Sequence, residues 1–240
     1  MFGRKKKPNE LLRVSPQQLR HIAFIMDGNG RWAKKRGMPR EYGHLQGVKK
    51  FRDIISHCRD VGINVITVYA FSTENWARPQ GEVNAIMRLL GDHFDEGLRD
   101  AEKNGIAYHF PGDLSAFTEE LREKALRLEK ATAHMPLKLN IAINYGGRDE
   151  ITRAVNRLLE EGKTSVTKED ISSRLDTAAF PDPDLVVRTG GDLRISNFLL
   201  WQSAYAEYYF TKTLWPDLSN EELDDAIRDF LGRHRRFGGV

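Results

Sequence analysis

The stretch from His21 to Trp32, HIAFIMDGNGRW, carries the clearest structural signal in the chain. Its apolar residues 22–26 predict a short buried strand. The strand leads into Asp27 and a Gly-Asn-Gly turn, and residues 32–36 are compatible with a helix. Such a turn before a helix N-terminus favours anions, because backbone N–H groups and the helix dipole point at the loop. Asp27 and Arg31 in one loop indicate a phosphate bridged by a metal ion rather than a bare phosphate.

The composition is typical of a globular protein of one domain or at most two. The chain has 240 residues, of which 40% are hydrophobic and 30% are charged. No apolar run approaches the roughly 20 residues of a membrane span, and the N-terminal residues lack the apolar core of a secretory signal. We therefore expect a cytoplasmic protein. The single cysteine, Cys58, excludes an internal disulfide.

Positive charge is concentrated at the start of the chain. Residues 1–40 contain 11 Lys or Arg and 2 Asp or Glu, whereas the remaining residues contain 26 and 32. The basic run at residues 4–7 predicts a flexible tail over residues 1–20, before a single domain over residues 21–240. The alternative for this tail is peripheral contact with anionic lipid headgroups, at about 1 kcal/mol per basic residue. Nucleic acid is disfavoured, because no aromatic platform accompanies the run.

Strand and helix patterns alternate along the whole chain. Strands are predicted at residues 22–26, 65–70, 106–110, 137–143, 185–187 and 205–210, and helices at 44–60, 82–103, 118–132, 149–161, 168–175 and 220–233. This alternation predicts an α/β fold with a mainly parallel central sheet flanked by helices. Ligands of such sheets bind at the carboxyl ends of the strands, and polar motifs follow four of the predicted strands there.

Residues 28–33 also fit the dinucleotide-binding pattern G-x-G-x-x-A after a strand. That pattern requires an acidic residue about 20 positions later, at the end of the second strand, to bind the ribose. The second predicted strand ends in Tyr-Ala-Phe-Ser, without a carboxylate. A dinucleotide-binding enzyme is therefore a weak alternative, and no P-loop motif is present.

Several blocks spread along the chain resemble the signature of the cis-prenyltransferase family. After residues 21–32 these are Pro39-Arg40, Gly43-His44, YAFSTENW at 69–76, Arg78-Pro79, NYGGR at 144–148, RTGGDLRIS at 188–196 and WPD at 215–217. They span nearly all of the chain after residue 20. The resemblance implies an α/β, non-Rossmann fold with a mainly parallel sheet and a hydrophobic tunnel. It also implies a homodimeric transferase that adds isopentenyl diphosphate to farnesyl diphosphate, with Mg²⁺ as cofactor.

The resemblance assigns chemistry to two residues. Asp27 becomes a catalytic carboxylate and metal ligand, although a plain Asp-Gly turn is the alternative interpretation. Asn75 takes part in removing a proton from the acceptor substrate. A neutral amide is a poor base, so we expect Asn75 to position a group or to relay the proton through the diphosphate or Asp27.

Two anion sites follow from the same resemblance. The allylic diphosphate site comprises Gly28, Asn29, Gly30, Arg31, Arg40 and His44, and Trp32 beside it is expected to contact substrate. The isopentenyl diphosphate site comprises Arg188, Arg194, Ile195 and Ser196. Further substrate contacts are expected from Ser72, Thr73, Glu74, Trp76 and Arg78. Guanidinium groups present forked donors that suit phosphate oxygens, but surface arginines are common and each one alone is a weak signal.

Two acidic residues complete the predicted site. Glu207 lies in the apolar stretch Tyr-Ala-Glu-Tyr, where a carboxylate should be paired or metal-bound. The resemblance makes it the second metal position, so that Asp27 and Glu207 together hold Mg²⁺. Asp192 departs from the family, in which many members have Glu, and an altered contact is expected there. Residues 233–239 are placed near the dimer contact and the active site.

A growing polyprenyl product requires a long apolar tunnel. Its candidate walls are the strand at 137–143, including Ile143, and the helix at 82–103, through Val83, Ile86, Met87, Leu89, Leu90 and Phe94; ordinary core is the alternative interpretation. The resemblance places Leu137 near the tunnel floor. No D-D-x-x-D motif occurs, which argues against the trans-prenyltransferases. A catalytically idle, diphosphate-binding subunit is a further alternative, disfavoured because the predicted catalytic residues are present.

Overall fold

A computed structural model describes residues 12–233, and within them six strands form one sheet. In chain order these are β1 His21–Ile25, β2 Val65–Ser72, β3 Ile106–His109, β4 Leu137–Tyr145, β5 Leu185–Arg188 and β6 Glu207–Phe210. Their order across the sheet is β3-β4-β2-β1-β5-β6, and all pairings are parallel. The predicted α/β class with a mainly parallel sheet is confirmed. The basic run at 4–7 and residues 234–239 lie outside the described residues.

Helices connect the strands. They are α1 Asn29–Lys35, α2 Arg40–Val61, α3 Gln80–Arg99, α4 Ala101–Asn104, α5 Glu119–Thr132, α6 Gly147–Glu160, α7 Lys168–Ser172 and α8 Asn220–Gly232. Short 3₁₀ turns lie at Thr73–Ala77, Leu114–Ala116 and Trp215–Asp217. None of the helices among the described residues is long and apolar enough to cross a bilayer.

Alternate residues of β1 enter two separate cores. Ile22 and Phe24 pack in the larger core, which also takes residues from α2, α3, α5 and α8. Ala23 and Ile25 pack in a smaller core on the opposite face. The alternation follows from the two-residue period of a strand, and burial of both faces is typical of a central parallel strand. The rigid centre of the sheet therefore positions the loop that follows β1.

Two differences between the predicted and the observed helices concern α2 and α3. The helix predicted at 44–60 begins at Arg40, directly after Pro39, because proline has the backbone angle of a helix start and needs no N–H there. The helix predicted at 82–103 ends at Arg99 and resumes as α4 after Asp100. The first difference brings Arg40 into the same helix as His44.

The domain begins before residue 20, the predicted end of the N-terminal tail. Val14 and Leu19 are buried in the structure, and Leu12 packs against the larger core. The backbone N–H of Val14 donates a 2.8 Å hydrogen bond to the carbonyl oxygen of Val61. Residues 12–20 are therefore part of the folded unit, because the apolar side chains of this otherwise basic segment are packed in the core.

Candidate active site

A cavity of about 550 Å³ lies at the carboxyl ends of β1, β2 and β5. Its wall includes residues from several of the predicted blocks, namely Asp27, Asn29, His44, Ser72, Glu74, Asn75, Arg78, Arg188, Arg194 and Ser196. The carboxyl edge is where parallel α/β sheets bind ligands. We call this cavity the charged cleft.

Asp27 lies between two guanidinium groups in the charged cleft. Its Oδ1 is 2.9 Å from Nη2 of Arg31, and its Oδ2 accepts a 3.0 Å hydrogen bond from Nη2 of Arg188. Burial alone would raise the pKa of Asp27, but the hydrogen bonds and charges of the two arginines outweigh burial and hold that pKa below its ordinary value. The carboxylate is therefore ionised at neutral pH and remains partly exposed to a ligand in the cleft.

Arg188 is the most buried of the predicted anion-binding arginines, with 4% of its side chain exposed. It ends β5 and donates to the carbonyl oxygen of Arg194 and, at 2.8 Å, to Oγ of Ser196. Its Nε is buried without a hydrogen-bond partner. Unsatisfied buried donors are rare in proteins, so a buried cation with an unused donor in the cleft wall is suited to anion binding.

The loops after β1 and β5 touch each other at Gly190. Nη1 of Arg31 donates a 2.6 Å hydrogen bond to the carbonyl oxygen of Gly190. A Cβ at Gly190 would lie 2.5 Å from Nη2 of Arg31, and its φ of +90° is one that side-chain-bearing residues rarely adopt. Glycine at this position therefore lets the two predicted anion sites share one cleft.

Asp192, where an altered contact was expected, contacts three arginines. Its Oδ2 is 3.0 Å from Nη2 of Arg194, 3.5 Å from Nη2 of Arg188 and 3.7 Å from Nη2 of Arg31. The shorter carboxylate thus reaches the guanidinium groups of both predicted anion sites. It balances their charge and aligns them in the same region.

Glu82, in the first turn of α3, belongs to the site although the sequence analysis did not identify it. Its carboxylate, 3% exposed, is 2.9 Å from Nε of Arg40, 3.0 Å from Nε2 of His44 and 3.0 Å from Nη1 of Arg78. Burial alone would raise the pKa of Glu82, but hydrogen bonds from His44 and Arg40 and the arginine charges lower it below its ordinary value. Glu82 therefore holds three predicted substrate-binding residues together. The sequence indicated this contact only through the spacing of four residues between Arg78 and Glu82, which brings side chains together on a helix.

Close contact with α2 fixes the loop after β1. A Cβ at Gly47 would lie only 2.3 Å from Oδ1 of Asn29. Glycine permits an approach that any larger residue would block. Asn29 is thereby held where it lines both the charged cleft and the apolar cavity behind it.

The turn after β2 is closed by its own polar side chains. Oδ1 of Asn75 accepts a 3.2 Å hydrogen bond from the backbone N–H of Ser72. Glu74 accepts a 3.1 Å hydrogen bond from Nδ2 of Asn197, which joins this turn to the loop after β5. Asn75 thus caps the turn with its amide oxygen, and its role in proton removal stays a prediction.

Three predicted contact residues do not line the charged cleft. The indole N–H of Trp32 donates to Asp217 at 2.6 Å, and that of Trp76 donates to Asn144 at 2.8 Å. Ile195 packs against the smaller core. Their contact with substrate therefore stays a prediction. Other predicted residues belong to the surrounding loops but not to the cleft wall: Gly28, Gly30, Arg31, Arg40 and Thr73.

Glu207 and Asp27 lie at opposite ends of the parallel strands, so one chain alone does not bring them together. That both bind the metal stays a prediction. Asp27 follows the carboxyl end of β1, whereas Glu207 is the first residue of β6. Glu207 pairs with Leu185, which pairs with Ile22 at the amino end of β1. Its carboxylate instead accepts a 2.7 Å hydrogen bond from Nη1 of Arg233.

Two further residues of the cleft wall were not identified from the sequence. Tyr69 donates a 3.0 Å hydrogen bond to the carbonyl oxygen of Tyr145 and stacks on Phe198, with ring centroids 4.6 Å apart. Asn197 has a φ of +63° and links two loops. Asn tolerates this backbone conformation better than most residues, but its sequence position alone carried no such information.

Behind the charged cleft, two further cavities lie toward the amino ends of the strands. The first, of about 100 Å³, is mainly apolar and shares Met26, Asn29, His44 and Ala70 with the cleft. The second, of about 230 Å³, combines Leu137 and Leu139 at the amino end of β4 with charged side chains, among them Arg52, Arg59, Glu96 and Asp100. We call these the upper and lower chambers. Together they are the candidate for the product channel, whose apolar part is the upper chamber.

Some predicted walls of this channel are core residues instead. Val83 and Phe94 are buried in the larger core and do not line either chamber. Ile143 is also absent from both linings, and Met87 faces a separate surface pocket beside α5. The helical period of α3 explains the difference, because only one stripe of its surface faces the sheet.

The chain was compared with protein families and known proteins. The Prenyltransf model, of the undecaprenyl diphosphate synthase family, matches residues 25–238. An isoprenyl transferase of Fusobacterium nucleatum is 49% identical over 222 residues, covering 92% of this chain and 96% of that protein. One of Chromobacterium violaceum is 48% identical over 220 residues, covering 91% and 88%.

Two solved structures are similar over nearly their whole length. A probable undecaprenyl diphosphate synthase from Campylobacter jejuni is 40% identical with a TM-score of 0.79, covering 92% of this chain and 99% of that one. Lavandulyl diphosphate synthase from Lavandula x intermedia, solved with dimethylallyl diphosphate, is 32% identical with a TM-score of 0.87 and the same coverage.

Proposed function

Because this chain belongs to the undecaprenyl diphosphate synthase family, we propose that it condenses isopentenyl diphosphate repeatedly onto farnesyl diphosphate in the cis configuration. The product would be a long polyprenyl diphosphate of the undecaprenyl type, a lipid carrier precursor for cell-wall synthesis. One observation carries the proposal: an arginine-rich cleft opens directly into the apolar upper chamber. A diphosphate with a hydrocarbon tail has this same division of charge and apolar surface.

The cleft has donors for two diphosphates. On one side, the group held by Glu82, with the loop after β1, would bind the allylic diphosphate, because this side adjoins the upper chamber through Asn29 and His44. On the other side, Arg188, Arg194 and Ser196 would bind the diphosphate of isopentenyl diphosphate. Arginines present forked donors that match phosphate oxygens.

The chemistry requires charge stabilisation at the allylic diphosphate. In each addition, the acceptor double bond forms a new carbon–carbon bond, the allylic carbon–oxygen bond breaks, and the acceptor loses a proton. The leaving diphosphate gains negative charge as that bond breaks. Arg31, paired with Asp27 at 2.9 Å, would stabilise this charge, since fixed donors aimed at developing charge lower the barrier most.

The residues of the cleft fit a Mg²⁺ ion bound mainly by substrate. Within residues 12–233, no cluster of three or more His, Cys, Asp or Glu side chains could hold a metal. Mg²⁺ commonly takes one or two carboxylates and completes its shell with phosphate oxygens and water. Asp27 supplies one ionised carboxylate in the cleft wall. When bound there, Mg²⁺ would neutralise charge on the diphosphate.

We further infer a homodimer in the cytoplasm, with peripheral membrane contact through the basic N-terminus and the lipid product. The edge strand β6 has no neighbouring strand on its outer side among the described residues, which leaves that edge available to a second copy. The resemblance to the cis-prenyltransferase family is the main support. No feature of the cleft favours nucleic acid.

The assay that tests the function uses the full chain without any partner protein. Incubation with farnesyl diphosphate, radiolabelled isopentenyl diphosphate and Mg²⁺ should give a labelled product that extracts into organic solvent. Addition of excess EDTA should abolish its formation. If the chain alone incorporates no label, the alternative of a catalytically idle subunit is favoured instead.

Leu137→Ala is expected to shift the products toward longer chains. Each added five-carbon unit gains roughly 3–4 kcal/mol when buried, so elongation continues until a wall blocks the chain. Leu137 lines the lower chamber at the amino end of β4, and its truncation would enlarge that chamber. The measurement is chromatography of dephosphorylated products at saturating isopentenyl diphosphate.

The matched control for this prediction is Leu185→Ala. Leu185 is equally buried in β5 but lines neither chamber. Both variants should lose about 2–5 kcal/mol of stability, as buried Leu→Ala changes do. Only Leu137→Ala should lengthen the products. Unchanged or shorter products from a folded Leu137→Ala protein would show that Leu137 is core rather than channel floor.

A further inference from the structure

One pair of side chains separates the upper chamber from the lower chamber. Phe51 of α2 and His93 of α3 line both chambers, and no other described residue is common to the two linings. Their rings meet edge to face, with centroids 5.2 Å apart and planes at 81°. We call this pair the partition.

His93 is held firmly in the partition from its other side as well. Its ring lies 5.7 Å from that of Tyr108, again close to edge-to-face. A ring fixed between two aromatic neighbours has little freedom to turn, because interiors are close-packed and such contacts are specific in geometry. A hydrocarbon chain that advances from the upper chamber into the lower one must therefore pass this imidazole.

The imidazole of His93 does not stabilise the fold as well as an apolar side chain would. Both ring nitrogens of His93 are buried and have no hydrogen-bond partner. Burial, aided by the charge of Arg52, lowers the pKa of His93 to about 4, so the ring is neutral at neutral pH. A buried polar group without a partner costs about 1–3 kcal/mol. An apolar side chain would avoid this loss, so packing does not explain the histidine.

We propose that His93 is a length-determining residue that restricts passage of the growing chain between the two chambers. The inference rests on the proposed elongation activity and goes beyond it by placing a stop part-way along the channel, before the floor at Leu137. The neutral ring allows an apolar chain to lie against it, while its bulk and its two polar nitrogens oppose further advance. Product length would then depend on this side chain as well as on the floor at Leu137.

Two substitutions with opposite expected effects test the proposal. His93→Ala opens the partition and should lengthen the average product by at least one five-carbon unit. His93→Phe keeps the aromatic contacts, adds bulk and should shorten the average product. The readout is chromatography of dephosphorylated products made from farnesyl diphosphate and labelled isopentenyl diphosphate. Met87→Ala, on a stripe of α3 that lines neither chamber, is the control and should leave the distribution unchanged.

Stability separates a length-determining role from a merely structural one. His93→Phe removes two unpartnered nitrogens and should unfold at the same temperature as the original protein or higher. If it does so and its products are shorter, the proposal is supported, even where His93→Ala does not fold. If both folded variants give the original distribution, the proposal is overturned.

The same reactions distinguish this proposal from the proposed function. Absence of any label incorporation by the original protein would reject the elongation activity itself. Full incorporation with unchanged product lengths in both His93 variants would reject only the role of His93.

Discussion

Replacing Asp27 with Asn or Ala is expected to lower kcat at least 100-fold, equivalent to about 2.7 kcal/mol of lost transition-state stabilisation. Asn keeps the shape of the side chain but removes the charge that a divalent metal requires. Asp27 is ionised between Arg31 and Arg188 at the end of β1. Asp192 also contacts arginines of both loops, but it pairs with three of them and does not line the cleft.

The KM values should distinguish the metal role from a simple loss of binding. Asp27 occupies two guanidinium groups that also face the substrates, so its removal should leave the KM for the diphosphates unchanged or lower it. In the Asp27 variants the buried Arg188 loses one counter-charge, which lowers stability. The unfolding temperature must therefore be measured, and the assay run well below it. Asp113→Ala removes a loop carboxylate that does not line the cleft and should keep the original rate. A folded Asp27 variant with more than about one tenth of the original kcat, a loss below about 1.4 kcal/mol, would contradict the metal role.

Arg40→Ala and Arg194→Ala should weaken binding of different substrates. Each guanidinium is largely exposed, 60% and 63%, and each is paired with one carboxylate, Glu82 or Asp192. A hydrogen bond to a charged group contributes about 1.5–3 kcal/mol, which corresponds to roughly 10–150-fold in affinity. Arg40→Ala should raise the KM for farnesyl diphosphate by this factor, and Arg194→Ala should raise that for isopentenyl diphosphate.

Arg40 and Arg194 form a better matched pair for this test than a pair that includes Arg31. Arg31 contacts both the Gly190 carbonyl and Asp192 in the opposite loop, so its removal would disturb both sites. The measurement is steady-state kinetics with each substrate varied in turn. Equal increases of both KM values in both variants would show that the cleft has no separate donor and acceptor sites.

The loop after β1 was predictable from sequence because its structure is local. An apolar run, a glycine-rich turn and a helix start are adjacent in the chain, and they fix where Asp27 lies. The position of Arg188 was predictable for the same reason, because it ends the short buried strand β5. Such neighbouring signals do not depend on how distant segments pack.

Long-range geometry accounts for the residues that were misplaced or missed. The position of Glu207 depends on the direction of β6 and its register with β5, and these place it at the amino edge, beside Arg233. Glu82 could be assigned to the site only from the structure, in which Arg40, His44 and Arg78 contact its carboxylate. Trp32 and Trp76 lie in matching motifs, but a motif does not give the direction of a side chain.

A structure of the full chain with Mg²⁺, isopentenyl diphosphate and a non-hydrolysable farnesyl thiodiphosphate would test the central claim most directly. We expect the diphosphate of the farnesyl analogue at Arg40 and His44, and its tail in the upper chamber, ending at the partition. The second diphosphate should lie at Arg194 and Ser196, with the metal at Asp27. A farnesyl tail outside the upper chamber, or both diphosphates on one side of Asp27, would contradict the proposed binding mode.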